Sequence, residues 1–345
     1  ELHTRWERCI AAARSPSSSN RWPGRHDRLL RDAANGAIGG TSLNLVVSIV
    51  TEPPTPVPSA PLDLSTPRRL HVIGAAGPGM SAIALALAQM GHHVSGVDLR
   101  ERQVLDRLRA AGVTVHIGHN RSHVIGCDAV TASTAISPDL NELDEARRLG
   151  VTVLSRAGML ASICAQAKSL AVAGTHGKTT TTSMLMLILA EADLHPSFVI
   201  GGDVTDMGTG AQWTGSEWFV VEADESDGTH LELPLYGTIL TNVDLDHLDQ
   251  YGSIEGIEEA FDRYLAQIPG PKVVCADNQR SAAIAARHDT VTNGMHESAQ
   301  VRATVGRAAT GSFHLAVERD GEGGTSVHLP RRGEHHGWHA TAARA

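Results

Sequence analysis

Nine residues, GTHGKTTTT from Gly174 to Thr182, are the part of this chain best suited to chemistry. They follow a short apolar stretch, Leu170–Ala173, and open a long apolar-rich segment, Thr179–Glu191, that reads as a helix. A glycine-rich turn between strand and helix lets the backbone approach phosphate closely, and the helix N-terminus adds N–H donors and a positive dipole end. In such a loop Lys178 reaches the terminal phosphates and the Thr179 hydroxyl serves Mg2+. Val172 stands where the usual phosphate-loop spacing has its first glycine, so the loop is a shortened version.

Two further constellations follow. WFVVEADESDGTHL, Trp218 to Leu231, is an apolar strand ending in Glu222, Asp224, Glu225 and Asp227. Carboxylates crowded at a strand end repel one another unless a cation offsets them, and one or two suffice for a hydrated Mg2+. TNVDLDHLDQYGS, Thr241 to Ser253, sets His247 among Asp244, Asp246 and Asp249; its residue types alone also fit a solvated turn. Earlier in the chain, GAAGPGMSAIA from Gly74 to Ala84 lies between strand Leu70–Ile73 and helix Met80–Met90. In the frame of a dinucleotide fingerprint it reads Gly74, Ala76, Gly79 and lacks the middle glycine, although Asp98 stands 19 residues beyond Gly79. No hydride-transfer constellation accompanies it, which disfavours a nicotinamide oxidoreductase.

The elements that must position these groups alternate. Strands at His93–Val97, Val113–Ile117, Ala129–Thr131 and Val151–Leu154 are interleaved with helices over 101–111 and 139–149. A second series runs through strands Leu170–Ala173, Trp218–Glu222, Thr238–Asn242 and Lys272–Cys275, with a helix over 254–267. Alternation of this kind predicts an α/β protein with mostly parallel sheets, in two units that meet near residue 165. Residues 1–66, rich in Ser, Arg and Pro, read as a disordered extension with a Pro-rich linker.

Composition sets outer bounds. Twenty-nine Lys and Arg against 38 Asp and Glu leave a formal charge of −9, unlike the basic face of a nucleic-acid binder. Cys9, Cys127, Cys164 and Cys275 are widely spaced, which predicts free thiols in a reducing compartment. Neither a membrane span nor a signal peptide is evident, so a cytoplasmic protein without membrane partners is the expectation.

On GTHGKTTTTSM, the DESDG turn and the His247 segment, the chain resembles the Mur ligase family, ATP-dependent amide-forming enzymes of peptidoglycan synthesis. Within that family it looks like the members that join L-alanine to UDP-N-acetylmuramate. A related member that attaches an intact peptide to the same sugar nucleotide shares the loop but usually carries Tyr where Ser226 stands. The resemblance implies a Rossmann-like UDP-binding domain over 67–165 and a phosphate-loop ATPase domain over 166–345. It places ATP on Gly174, Thr175, His176, Gly177, Lys178, Thr179 and Thr180. Mg2+ falls to Thr179, Glu222 and His247, with Lys178, Glu222 and His247 as the catalytic set. The sugar nucleotide falls to Gly74, Gly77, Gly79, Met80, Ser81, Asp98 and Ser133, and to Glu225, Ser226 and Asp227. Ala76 stands at a usual glycine position, where a methyl group could hinder approach to phosphate. Near the C-terminus Gly333 and His335 match, His339 takes the place of an adenine-contacting Asn, and a third, C-terminal ligase domain is expected to be absent. A remnant that binds ATP or UDP-sugar without catalysis is the alternative reading.

Overall fold

Five short apolar strands open the folded part: β1 (Arg69–Ile73), β2 (His93–Asp98), β3 (Thr114–Ile117), β4 (Ala129–Ala132) and β5 (Thr152–Ser155). They pair in the order β3-β2-β1-β4-β5, all parallel, as right-handed crossovers through helices demand. The crossover helices are α1 (Pro78–Gln89), α2 (Gln103–Ala110) and α3 (Asn141–Leu149), and α4 (Arg156–Cys164) follows β5. Strand order reverses between β1 and β4, so their C-terminal ends border a crevice, the usual ligand position in an open α/β sheet.

The computed structural model describes residues 61–204, 207–246, 248–307, 313–319, 322–329, 340–343 and 345. His247 and most of the expected extension therefore lie outside the described residues. Residues 61–66, read from composition as the end of a linker, instead lie against the fold. Leu64 is buried, and the Leu62 N–H donates to Ser162 Oγ of α4 at 2.9 Å.

The second sheet has ten strands: β6 (Lys168–Ala173), β7 (Ser197–Val204), β8 (Thr209–Gln212), β9 (Trp218–Glu222), β10 (Gly237–Leu240), β11 (Lys272–Cys275), β12 (Val291–Gly294), β13 (Val301–Arg307), β14 (Phe313–Arg319) and β15 (Glu322–Leu329). Their order is β15-β14-β13-β12-β11-β10-β6-β9-β7-β8. Pairing is parallel from β7 to β13, while β8 and the β13-β14-β15 meander add antiparallel edges. Helices α5 (Lys178–Glu191), α6 (Leu248–Tyr251), α7 (Ile254–Gln267) and α8 (Gln279–Ala285) complete this part. Strands β7, β8 and β12–β15 are not among the expected elements; Gly and polar residues interrupt β7, β8, β12 and β15, whereas β13 (VRATVGR) and β14 (FHLAVER) do alternate with period two. Strand β10 stops at Leu240 rather than Asn242, because Thr241 and Asn242 leave the ladder to hold the loop after β6.

Helix α1 joins the two sheets. Its Ala-rich surface is buried nearly all round, against β1 and β2 on one side and β7 and β8 on the other. Small side chains permit that double approach, and one apolar core runs through both halves, from Leu70 and Val72 to Phe219 and Phe261. Gln89 at the end of α1 accepts the Trp213 N–H at 2.7 Å. Among the described residues, no helix is long and apolar enough to cross a membrane.

Under α7 lies a buried histidine. His230 packs on Phe261 and Tyr264, both at 5.4 Å between ring centroids, and neither of its ring nitrogens has a hydrogen-bond partner. Burial drives its pKa from 6.5 down to about 4, so the unfolded chain takes up a proton that the folded chain refuses. Stability from this group is complete above pH 6.5 and declines as the pH falls toward 4, by on the order of 3 kcal/mol. His230→Phe should remove that slope and raise the urea midpoint at pH 5 relative to the parent. Urea melts from pH 7 to pH 4.5 test this, and an unchanged slope in the variant would contradict it.

Candidate functional site

The loop from Gly174 to Gly177 takes its shape from glycine at two positions. Gly174 has φ +122°, and a Cβ there would lie 2.3 Å from Thr241 Oγ1 and 2.8 Å from the Asn242 carbonyl oxygen. Only a residue without a side chain lets β6 turn this close to the end of β10. Gly177, at φ +82°, then starts α5 with no side-chain cap, so its first amides are not used by a neighbouring hydroxyl or carboxylate.

Thr241 and Asn242 seat the loop from the other side. The Asn242 side chain accepts from the His176 N–H at 2.9 Å and donates to the His176 carbonyl at 2.9 Å, a two-way clamp. Thr241 Oγ1 donates to the same carbonyl at 2.7 Å, and Thr175 Oγ1 accepts the Asp244 N–H at 2.9 Å. Residue spacing did not single out Thr241 or Asn242 as functional. The signal was their position just past a strand that pairs with β6, and pairing is not readable from one sequence.

Lys178 turns back over the loop. Its Nζ donates to the Gly174 carbonyl at 2.9 Å and to both Glu225 carboxylate oxygens, at 2.9 and 2.8 Å. Glu225 is almost wholly buried; burial pushes its pKa up, opposed by the Lys178 charge. The Tyr251 hydroxyl donates to the Glu225 carbonyl and fixes the turn that carries it.

Glu222, the last residue of β9, lies beside Thr179 and accepts from the Gly201 N–H. Gly201 is as close as it can be: a Cβ there would be 2.8 Å from Glu222 Oε2. Burial pushes the Glu222 pKa up, and its Oε1 has no hydrogen-bond partner. An orphaned buried carboxylate oxygen next to a threonine hydroxyl, at the mouth of a phosphate loop, is a donor set that fits Mg2+.

The expected sugar-nucleotide residues divide into two groups. Gly77, Gly79, Met80 and Ser133 from the first sheet face Ser226 and Asp227 from the second across a cleft of about 510 Å³, with Arg156 between them. Arg156 Nη2 reaches Asp227 at 2.7 Å and Thr229 Oγ1 at 3.1 Å. Gly74, Ser81, Asp98 and Glu225 do not line this cleft. Gly74 turns the chain against Ser133, Ser81 Oγ donates to the Pro78 carbonyl, and Asp98 accepts the Ala76 N–H at 2.9 Å. Asp98 thus holds the glycine loop in shape. Ala76 is buried and does not line this cleft; with Pro78 and Ser81 it borders a separate pocket of about 380 Å³.

Comparison with known proteins identifies the family of the chain. The Mur ligase family catalytic domain matches residues 69–168, and the Mur ligase middle domain matches 172–345. A UDP-N-acetylmuramate–L-alanine ligase of Acidothermus cellulolyticus is 42% identical over 292 residues, covering 83% of this chain and 61% of that protein. One from a Bradyrhizobium strain is 40% identical, covering 80% of this chain and 62% of its own length. This chain therefore spans about three fifths of the curated relatives it matches. Among solved structures, the UDP-N-acetylmuramate:L-alanyl-γ-D-glutamyl-meso-diaminopimelate ligase of Neisseria meningitides has a TM-score of 0.72 at 26% identity, covering 81% of this chain and 92% of that one. The UDP-N-acetylmuramate–alanine ligase of Thermotoga maritima has a TM-score of 0.70 at 26% identity, covering 80% and 64%.

The seat of the loop makes a prediction. Gly174→Ala sets a methyl group against Thr241 and the Asn242 backbone at a φ that alanine resists, so it should cost at least ~2 kcal/mol of stability. It should also abolish nucleotide binding. Urea melts together with calorimetric ATP titration check both, and wild-type binding in the variant would show that the loop seat is not required.

Proposed function

The chain belongs to the Mur ligase family, and from that premise we propose that it contributes the nucleotide and sugar-nucleotide sites of an ATP-dependent ligase joining L-alanine to UDP-N-acetylmuramate. The observation that carries this reading is the cleft in which the glycine loop after β1 faces the acidic turn after β9, a turn whose Glu225 is bonded to Lys178 at the end of the loop after β6. The first unit, 67–165, brings its glycine loop to the sugar nucleotide, and the second, 166–345, holds ATP and adds Ser226 and Asp227 to the sugar-nucleotide cleft. Residues 1–66 precede them as an extension whose last residues, 61–66, pack on the fold. A cytoplasmic location and the absence of nucleic-acid and membrane partners belong to the same reading.

ATP lies along Gly174–Thr180, its phosphates on the amides that open α5. The terminal phosphoryl group passes to the lactyl carboxylate of UDP-N-acetylmuramate; the bond to ADP breaks as the bond to carboxylate oxygen forms. The L-alanine amine then attacks the acyl phosphate, loses a proton, and inorganic phosphate leaves. Lys178 exchanges its Glu225 contacts for phosphate oxygens and stabilises the charge that spreads during transfer. Glu225 keeps the ammonium aimed at the loop until then. Thr179 and Glu222, with His247, would hold Mg2+, which would supply charge neutralisation at the phosphates. On the sugar side, the N–H groups of Gly79 and Met80, in the first turn of α1 after Pro78, meet the diphosphate. Arg156 adds the positive charge that offsets Asp224 and Asp227.

Phosphate release by the purified chain with ATP, Mg2+, UDP-N-acetylmuramate and L-alanine, each omitted in turn, tests the reading. Release that needs both substrates, with the alanylated product identified by mass, is the expected result. Release with the tripeptide and not with alanine would overturn the choice of amine. Binding of UDP-N-acetylmuramate and ATP without release would show that catalysis needs more than these sites. In a full-length ligase carrying this sequence, Lys178→Ala should lower kcat by at least ~30-fold, about 2 kcal/mol of barrier. Unchanged turnover there would remove Lys178 from the mechanism.

A further inference from the structure

On the far side of the first sheet from α1's glycine turn, four histidines gather around one carboxylate. Glu142, in the first turn of α3, is fully buried. Its Oε2 meets His119 Nδ1 at 2.6 Å, and its Oε1 meets His123 Nδ1 at 2.7 Å and accepts the Asn120 N–H at 3.1 Å. His116 stacks on His123 with ring centroids 4.1 Å apart. From below, His71 of β1 points its ring at the same carboxylate, with Nε2 3.8 Å from Oε1.

His71 is the unusual member. It is 0% exposed, and its Nε2 has no hydrogen-bond partner. Its other nitrogen, Nδ1, lies 2.8 Å from Ser95 Oγ, a contact in which the ring tautomer decides which atom donates. In the tautomer whose Nδ1–H donates to Ser95 Oγ, the Nε2 lone pair faces a carboxylate oxygen. Two lone pairs facing each other in a buried site cost energy unless a cation stands between them. A ring nitrogen fixed by a hydrogen bond on its other side is also how metal-binding histidines are held.

We infer that His71, His123 and Glu142 form a binding site for a divalent transition-metal ion of the Zn2+ class, separate from the nucleotide site. Their ligand atoms lie within 4.8 Å of one another, and the cluster is found among the described residues. A Zn2+ ion with bonds of about 2 Å takes ligand atoms up to about 4 Å apart. Glu142 Oε1 lies 3.8 Å from His71 and 2.7 Å from His123, and side-chain shifts of about an ångström within the 4.8 Å cluster bring all three to one ion. Two imidazoles and one carboxylate favour Zn2+, Co2+ or Ni2+ over Mg2+, which prefers an all-oxygen shell. Binding displaces the proton shared by His123 and Glu142, which passes to solvent. Entry lies beside His123, where a pocket of about 310 Å³ lined by Ser95, Thr114, Gly126 and Cys127 opens. His119 and Asn120 keep Glu142 oriented from the opposite oxygen and backbone side, and Ser95 is a positioning residue for His71.

Titration of the metal-free, nucleotide-free full chain with Co2+, read by its visible d–d absorption and then by Zn2+ displacement, tests the site. One equivalent should give the intense bands of a low-coordinate site, displaced by equimolar Zn2+ and not by Mg2+. His123→Gln should abolish the bands while circular dichroism stays that of the parent. Ser95→Ala should weaken Co2+ affinity by at least ~10-fold through the freed His71 ring. A variant with His328, His335, His336 and His339 all changed to Asn should keep the signal. Absence of a stoichiometric site would overturn the inference and leave a hydrogen-bonded knot around Glu142. So would bands that survive His123→Gln, or bands lost with the 328–339 histidines.

Discussion

The buried ion pair between Lys178 and Glu225 holds the candidate site together. Lys178 begins α5, Glu225 sits in the turn after β9, and neither element touches the ammonium by chance, since the Gly174 carbonyl completes its shell. Removing one partner would strand a charge in a site that Tyr251 and the loop keep nearly dry. The pair sets the angle between the phosphate loop and the acidic turn. Through Asp224 and Asp227 it also sets where Arg156 can stand. From Arg156 the chain of contacts crosses to the glycine loop of the first sheet, close to Gly79.

That crossing needs a rigid joint, and α1 supplies it. A helix buried on two sides by separate sheets cannot carry large residues all round, which accounts for its run of Ala. The same helix begins at the glycine loop, so the element that joins the halves also presents one wall of the cleft. Position and chemistry are coupled there by packing, in a way no motif records.

The first sheet has a second polar centre with different logic. Burial would raise the Glu142 pKa, yet the His71 ring beside it and the hydrogen bonds from Asn120, His119 and His123 bring it down to about 2. An ionised carboxylate ringed by imidazoles is costly to assemble and stays together only because α3, β1 and the 119–124 turn are fixed by the fold. The candidate nucleotide site gathers carboxylates and a hydroxyl beside a glycine loop; this centre places nitrogen donors around a single carboxylate. The two sites suit different ions for that reason.

Short-range signals were sufficient for much of this protein. A Gly-rich turn after an apolar run, a lysine at its end, and alternating strands and helices are local patterns, and they identified the phosphate loop, the acidic turn and the α/β class. The sequence also singled out Gly77, Gly79, Met80, Ser133, Ser226 and Asp227, which line one cleft. Other features depend on which strand lies beside which, and strand pairing joins residues far apart in the chain. Asn242 clamps His176 because β10 is the neighbour of β6, and Glu225 meets Lys178 because β9 flanks it on the other side. Asp98, expected at the sugar nucleotide, proved to brace Ala76, since the β2 terminus lies next to the loop. The four histidines around Glu142 come from three elements and carry no motif at all; only the tertiary structure brought them to one carboxylate.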